Sequence, residues 1–92
     1  MKVPDHEIGA AICRCDNQYK LGPFAEGTRN NVMVPIRCPA RCKPEGTVHT
    51  HPGGPLRLSN VDIVNLAKAD LKIGCVSDGA RMRCYRVSRS TV

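Results

Sequence analysis

The chain has 92 residues and a formal net charge of +6 at pH 7, with 41% hydrophobic and 3% aromatic residues. This length suits one small domain with a thin margin of stability from core burial, and the absence of a run of about 18 apolar residues predicts no membrane span. Scarce aromatic side chains argue against a platform for single-stranded nucleic acid. The start of the sequence lacks the apolar stretch of a signal peptide, so we expect a cytoplasmic protein.

The first half of the chain is predicted to consist of strands and loops. Residues 7–15 have the small apolar composition of a buried strand, and a turn over 16–18 leads into a segment at 19–21. Residues 31–38 predict a second clear strand, in which Pro35 implies an edge position or a bulge. The two predicted connecting loops cover 24–31 and 39–46.

The second half predicts a strand, a helix and a hairpin. A short strand over 47–51 ends at Pro52, and the helix runs from Ser59 to about residue 71. Its apolar residues recur at three- and four-residue spacing, and its polar residues can face water. The predicted apolar positions are Val61, Val64, Ala67 and Leu71, and the predicted polar positions are Asn60, Asn65, Lys68 and Lys72.

Residues 73–77 and 82–87 are predicted to form a hairpin around Asp78-Gly79. A four-residue loop would place Cys75 and Cys84 opposite one another, whereas a two-residue loop would offset them. The order of strands, one main helix and further strands predicts an α+β fold with a small, mostly antiparallel sheet. We expect one domain over 1–92, with a short N-terminal arm at 1–6 and a C-terminal tail at 88–92.

Six cysteines are many for a reduced cytoplasmic protein of this size. They can be free and buried, or bridged, and intracellular bridges are typical of hyperthermophiles. A second, structural zinc is the other interpretation, because Cys13-x-Cys15 and Cys38-x-x-x-Cys42 together offer four thiolates. Free or bridged cysteines are favoured, because Cys-x-Cys on a strand is not the usual zinc knuckle.

Basic residues crowd the C-terminal part of the chain at Arg81, Arg83, Arg86 and Arg89. Such a cluster could meet nucleic acid or an acidic protein surface. A solvated basic edge is the simpler interpretation, and we favour it.

The stretch from His49 to Asp62 carries the pattern of a metal site. His49 and His51 stand two apart on a strand, so their side chains share one face. The Pro-Gly-Gly-Pro loop at 52–55 then allows the helix start to fold back onto the strand end. Ser59 and Asp62 have the spacing of a capping box, which places Asp62 in the first helical turn. Two imidazoles and a carboxylate predict a three-ligand zinc site with a fourth position open for water.

A hydrolytic zinc site also needs a base that is not a ligand, and the candidates are Glu7, Glu26 and Glu45, together with Asp5 and His6 beside Glu7. Glu45 is too close in sequence to His49 to reach over the ion from another strand. Glu26 lies in a predicted loop and is the reserve candidate. Glu7 heads an apolar strand that can run beside the histidine strand, with Gly9 permitting close approach, although it could equally be a surface residue of the N-terminal arm.

His49-Thr50-His51, seven further residues and Ser59-x-x-Asp62, with a glutamate upstream, resemble the JAMM motif of the MPN-type metalloproteases. Residues 7–12 are similar to the family's strand that begins at the catalytic glutamate. The resemblance implies an MPN fold with cytidine-deaminase-like layering over residues 7 to about 87. It also implies zinc on His49, His51 and Asp62, Glu7 as general base and then general acid, and Ser59 beside the oxyanion or the water.

The resemblance further implies a JAMM-type isopeptidase or peptidase, deubiquitinase-like, acting after the C-terminus of a ubiquitin-like modifier. The family usually carries a helix and a strand before the glutamate. We therefore expect either a minimal version of the fold, or cover of the short N-terminus by a partner or a second copy in a homo-oligomer. The alternatives to an enzyme are a non-catalytic MPN-type scaffold, or a basic zinc and cysteine module that binds a partner or nucleic acid.

Overall fold

The computed structural model describes residues 5–29 and 32–88, and within them the chain forms one mixed sheet and one helix. The expected α+β class is confirmed. The elements are β1 Ile8–Cys15, β2 Gln18–Leu21, β3 Ala25–Glu26, β4 Cys42–Thr50, α1 Asn60–Lys68, β5 Ile73–Ser77 and β6 Met82–Arg86. The described helix lacks the length and apolarity that a membrane crossing requires.

The sheet has the strand order β2-β1-β4-β5-β6, and the short β3 also pairs with β1. All pairs are antiparallel except β4 and β5, which run parallel. Parallel neighbours need a crossover connection, and here α1 supplies it. The predicted, mostly antiparallel sheet is therefore confirmed, with one parallel pair at its centre.

Strand β4 begins earlier than the sequence predicts, so the predicted loop over 39–46 is wrong for its second half. The pairing with β1 shifts between Ile12, which faces Gly46, and Cys13, which faces Pro44. This bulge accommodates Pro44, because a proline has no N–H for a regular ladder. Gly46 is required there, since a Cβ would collide with the carbonyl of Ile73 on β5.

The predicted strand over 31–38 is wrong for residues 32–38, which belong to no strand, and Asn31 lies outside the described residues. The segment instead packs on the sheet face above β1. A Cβ on Gly9 would lie 2.5 Å from Cγ2 of Val34, so the glycine makes room for this segment. Cys38 is bridged to Cys13 of β1. The predicted loop over 24–31 is also wrong at β3, which pairs with the start of β1.

Helix α1 ends at Lys68, about three residues before its predicted end. The N–H of Leu71 donates to the carbonyl of Leu66 at 2.9 Å, and that of Asp70 to Ala67 at 3.1 Å. With Asp70 at φ 58°, these bonds form a Schellman motif that stops the helix.

The apolar side of α1 differs in part from the prediction. Leu66 and Leu71 form a buried core with Val87. Val61 is 66% exposed, because the helix turns Leu66 rather than Val61 toward the sheet. Gly74 on β5 leaves room for Leu66.

All six cysteines lie within the described residues, and the structure pairs them in three disulfides. The β5–β6 loop holds four residues, since Ser77 faces Met82, so Cys75 and Cys84 are opposite one another as that loop length predicts. The interpretation of four thiolates on a structural zinc is wrong, because those sulfurs are bonded to one another. The bridges are Cys13–Cys38, Cys15–Cys42 and Cys75–Cys84.

Candidate metal centre

The two histidines lie at the end of β4, in the middle of the sheet. His49 faces Gly9 of β1 on one side and Val76 of β5 on the other, and it is 5% exposed. His51 follows the strand, and its N–H donates to the carbonyl of Ser77 at 2.7 Å. The Nε2 atoms of the two rings are 2.9 Å apart. The predicted convergence of the two imidazoles is therefore present.

The loop after His51 fixes which nitrogen of its ring is available. Gly53 and Gly54 have φ of 79° and 82°, which side-chain-bearing residues rarely adopt. This turn brings the carbonyl of Pro55 to 2.9 Å from Nδ1 of His51. Because a carbonyl only accepts, Nδ1 carries the proton and Nε2 of the neutral ring keeps its lone pair. Such a backbone partner is typical of a metal-binding histidine.

The start of α1 supplies the carboxylate. Ser59 caps the helix, with its Oγ accepting the N–H of Asp62 at 3.1 Å, while Oδ2 of Asp62 accepts the N–H of Ser59 at 2.9 Å. The same Oδ2 lies 3.4 Å from Nε2 of His49 and 3.9 Å from Nε2 of His51. One carboxylate therefore serves the capping box and faces both imidazoles.

Asp62 is fully ionised at neutral pH. Burial acts to raise the pKa of its carboxyl, but the hydrogen bonds with His49 and with the N–H of Ser59 outweigh burial and lower the pKa to about 2. The positive end of the helix dipole also favours the charge. A metal ligand must be deprotonated, and Asp62 meets that condition without a metal.

Glu7, the residue just before β1, lies near the same point. Its backbone is fixed by two hydrogen bonds of 2.8 Å, one to the carbonyl of Thr28 and one from the N–H of Gly27. Its side chain is on the face that carries the histidines, and the residue is 7% exposed. Burial raises the pKa of its carboxyl, although the charges of His49 and His51 act in the opposite direction.

Two sets of three ligands share the histidines. Glu7, His49 and His51 offer donor atoms that all lie within 4.8 Å of one another, so this group could bind a metal ion. His49, His51 and Asp62 form the second set. The pKa of the Asp62 carboxyl is lowered and that of the Glu7 carboxyl is raised, so the two carboxylates differ in how readily each one ionises.

The other two glutamates lie elsewhere. Oε1 of Glu26 accepts a hydrogen bond from Nε2 of His6 at 2.8 Å, and the Glu26 side chain is 72% exposed. Glu45 lies 4.0 Å from the guanidinium of Arg14. Glu7 is the one of the three that lines the cavity over the histidines.

All five predicted site residues line one cavity of about 630 Å³. Its remaining wall combines α1 with apolar residues of the 32–36 segment, including Val34 and Ile36. Sequence reasoning missed this wall and the carbonyl of Pro55. Gly9 was the available signal for the wall, since it already implied a close neighbour. A scan against protein-family models, and searches of curated proteins and of solved structures, find no match for this chain.

Proposed function

We propose that the chain is a zinc-dependent hydrolase of the JAMM type, with an MPN-like fold, that cleaves an isopeptide or peptide bond. The observation that carries the proposal is the convergence of two imidazoles and an ionised carboxylate beside a buried, separately held glutamate. In that arrangement the two histidines and Asp62 would bind the metal, and Glu7 would remain free to transfer a proton. Metal-assisted hydrolysis requires both functions.

The donor atoms fit zinc. Tetrahedral zinc with bonds of about 2.0–2.1 Å keeps its ligand atoms about 3.3 Å apart. The Nε2 atoms of His49 and His51 and Oδ2 of Asp62 are separated by 2.9, 3.4 and 3.9 Å, which bracket that value. Nitrogen and carboxylate donors in a three-residue set are also typical of catalytic rather than structural zinc.

A zinc ion held there supplies a water of lowered pKa and a Lewis acid for a carbonyl oxygen. The carboxylate of Glu7 would take a proton from the attacking water and give it to the leaving amine. The raised pKa of Glu7 favours the protonated form between these two transfers. The Oγ of Ser59 accepts from the N–H of Asp62, so its own hydroxyl proton can be donated into the cavity.

We infer the substrate class from the resemblance of residues 49–62 to the JAMM motif. We propose the bond after the C-terminus of a ubiquitin-like modifier, in a conjugate or a precursor, as the bond cleaved. We also propose a cytoplasmic location, in which case the three disulfides would be those of a hyperthermophilic intracellular protein.

The experiment is hydrolysis of a ubiquitin-like fusion by the zinc-loaded protein, compared with Glu7→Gln. We expect Glu7→Gln to lower kcat by about 10²–10⁴-fold, because the proton carrier is lost, while zinc content stays the same. Glu26→Gln is the matched control and should retain full activity. If Glu26→Gln is inactive and Glu7→Gln is active, the assigned base is wrong.

The same assay separates the alternatives. A wild-type chain that binds zinc and cleaves no fusion or peptide would favour a non-catalytic MPN-type scaffold. A basic module would instead bind nucleic acid with steep salt dependence, through the exposed Arg81, Arg83 and Arg86. Arg89, the fourth predicted member of that cluster, lies outside the described residues.

A further inference from the structure

Apolar side chains that the core does not bury lie around the candidate metal centre. The described residues leave seven large apolar side chains exposed, and Met33, Ile36 and Val61 are the three of them that line the cavity over the histidines. Met33 is 89% exposed and Val61 is 66% exposed. Single exposed apolar residues are common, but a group that shares one cavity with candidate metal ligands indicates a binding surface.

These side chains belong to two walls that are held independently of each other. The 32–36 segment is held on the sheet by its packing over Gly9 and by the bridge of Cys38. Val61 lies on α1 directly before Asp62, whose capping box fixes the first helical turn. Both walls are therefore formed before a ligand binds, which lowers the entropy cost of binding.

The cavity has room for more than a metal ion. Its volume is about 630 Å³, within the range of about 300–1,000 Å³ that is usual for pockets that bind small molecules. One water molecule accounts for about 30 Å³ of liquid, so a metal ion with its bound water fills a small part of this volume. The rest is available to residues of a substrate.

The polar groups of the cavity suit a peptide with neutral side chains. Within the part of the chain that the structure describes, its ionisable lining residues are the two histidines, Asp62 and Glu7, all at the metal centre. No lysine or arginine of that part lines the cavity, so the walls offer an acidic side chain no cationic partner. Asn65 of α1 also lines it, and its amide both donates and accepts, as a peptide group does.

We propose that the apolar part of this cavity, lined by α1 and the 32–36 segment, is a specificity subsite for an apolar side chain in the peptide tail of the modifier. Met33 and Val61 contact that side chain, and Asn65 hydrogen-bonds a peptide group of the same tail. The inference rests on the proposed function. Because the bond to be cleaved follows the C-terminus of the modifier, the residues on its acyl side are those that identify the modifier.

The test is calorimetric titration of the zinc-loaded protein with N-acetylated dipeptide hydroxamates. The hydroxamate group chelates zinc, so the two residues before it represent the end of the tail. The glycyl-glycine compound is the reference, and leucine replaces its first or its second glycine. We expect at least one leucine compound to bind about tenfold more tightly than the reference, the gain from removing roughly half of a leucine side chain from water. Aspartate at the same position should bind no more tightly than glycine.

Met33→Gln/Val61→Thr should reduce the preference for leucine to about threefold or less, because it replaces apolar surface and nearly keeps side-chain size. Both positions are exposed, so zinc content and circular dichroism should match those of the wild type. Met82→Gln is the matched control, since Met82 is 62% exposed and does not line the cavity. It should keep the full preference.

The outcomes separate the subsite from the metal centre. Equal affinity for the glycine compound and both leucine compounds overturns the subsite and leaves the zinc site in place. So does a preference for leucine that persists in Met33→Gln/Val61→Thr, or one that Met82→Gln removes. If no hydroxamate binds, the reference included, the zinc site itself is wrong, and the proposed function and the subsite are overturned together.

Discussion

Strand β4 is held in two different ways at its two ends. At its start, Cys42 is bridged to Cys15 of β1, and the segment just before it is bridged through Cys38. Beyond its other end, His51 meets His49 and Asp62 through hydrogen bonds and charge alone. The start is held covalently, and the end is a polar cluster that could bind a metal ion.

The bridged start of β4 therefore contributes to the stability of the fold, whereas its polar end carries the candidate metal ligands. A domain of this size buries a small core, so bridges at one end can supply rigidity that the polar end lacks. Changes at the start of β4 should therefore alter the free energy of unfolding and leave the ligands in place. Changes at the end of β4 should alter metal binding and leave the fold unchanged.

The largest effect is expected from Asp62 at the polar end. Asp62→Asn retains an oxygen that can accept the N–H of Ser59, but it loses the charge that a ligand needs. We expect zinc affinity to fall by about a hundredfold or more, with loss of hydrolysis and little change in helix content. Competition with a zinc-binding dye and circular dichroism would measure the two effects.

Asp70→Asn is the matched control, since Asp70 lies beyond the other end of α1 and takes a left-handed φ that asparagine also tolerates. It should bind zinc as the wild type does. Undiminished zinc affinity in Asp62→Asn would remove Asp62 from the ligand set.

The second effect is expected at the anchored end. Cys15→Ser/Cys42→Ser should lower the free energy of unfolding by about 2 kcal/mol, because the Cys13–Cys38 bridge stays and the unfolded chain regains only the freedom of a short loop. Zinc stoichiometry should stay the same below the melting temperature. Chemical denaturation of wild type and variant, with metal analysis of the folded fraction, tests both statements.

Cys75→Ser/Cys84→Ser sharpens this result. Its bridge spans 9 residues, and with Cys13–Cys38 intact the loop that Cys15–Cys42 closes is also short. Loop-closure entropy alone therefore predicts losses that agree within about 0.5 kcal/mol. A clear difference between the two variants would show that packing around one bridge outweighs chain entropy.

The sequence predicted the two ends of β4 with unequal success. His49, His51, Ser59 and Asp62 were recognisable because ligand chemistry and capping both depend on residue type at fixed spacing. The start of β4 was predicted as loop because Pro44 and Gly46 are typical of loops. In the structure a β-bulge accommodates Pro44, and Gly46 is required because the backbone there lies close to β5. Both are tertiary effects that local pattern does not contain.

The same distinction applies to the cavity wall at 32–36. Its valines and isoleucine have strand composition, and Pro35 together with the bridge from Cys38 to Cys13 places it over the sheet instead. Disulfide connectivity cannot be deduced from spacing when several pairings are open. For Cys75 and Cys84 the sequence left two loop lengths open, and the four-residue loop found in the structure sets them opposite one another.

The third effect concerns Ser59, which serves both stability and the cavity. Ser59→Ala should lower the free energy of unfolding by about 1 kcal/mol through loss of the N-cap, and should also lower kcat. Ser59→Asn keeps an acceptor for the cap, so it should restore stability without restoring turnover. Equal recovery of stability and turnover in Ser59→Asn would make Ser59 a structural residue alone.

The smallest effect is expected at the β5–β6 loop, which follows Ser77, the residue that pairs with the last residue of β4. The N–H groups of Arg81 and Ala80 donate to Asp78 and hold the pKa of its carboxyl below the ordinary 3.8. A depressed folded-state pKa stabilises the fold above the unfolded value, and that contribution is lost as pH falls through the folded value. Wild type should therefore lose stability relative to Asp78→Ala below about pH 4. Parallel denaturation curves across that range would measure it.

The ligand set is tested most directly by diffraction at the zinc absorption edge from crystals of the zinc-loaded protein. We expect about one zinc per chain, bound by Nε2 of His49, Nε2 of His51 and a carboxylate oxygen of Asp62, with Glu7 nearby and unbound. Zinc bound by Glu7, with Asp62 left in the capping box alone, would contradict the account. So would zinc at any other place in the chain.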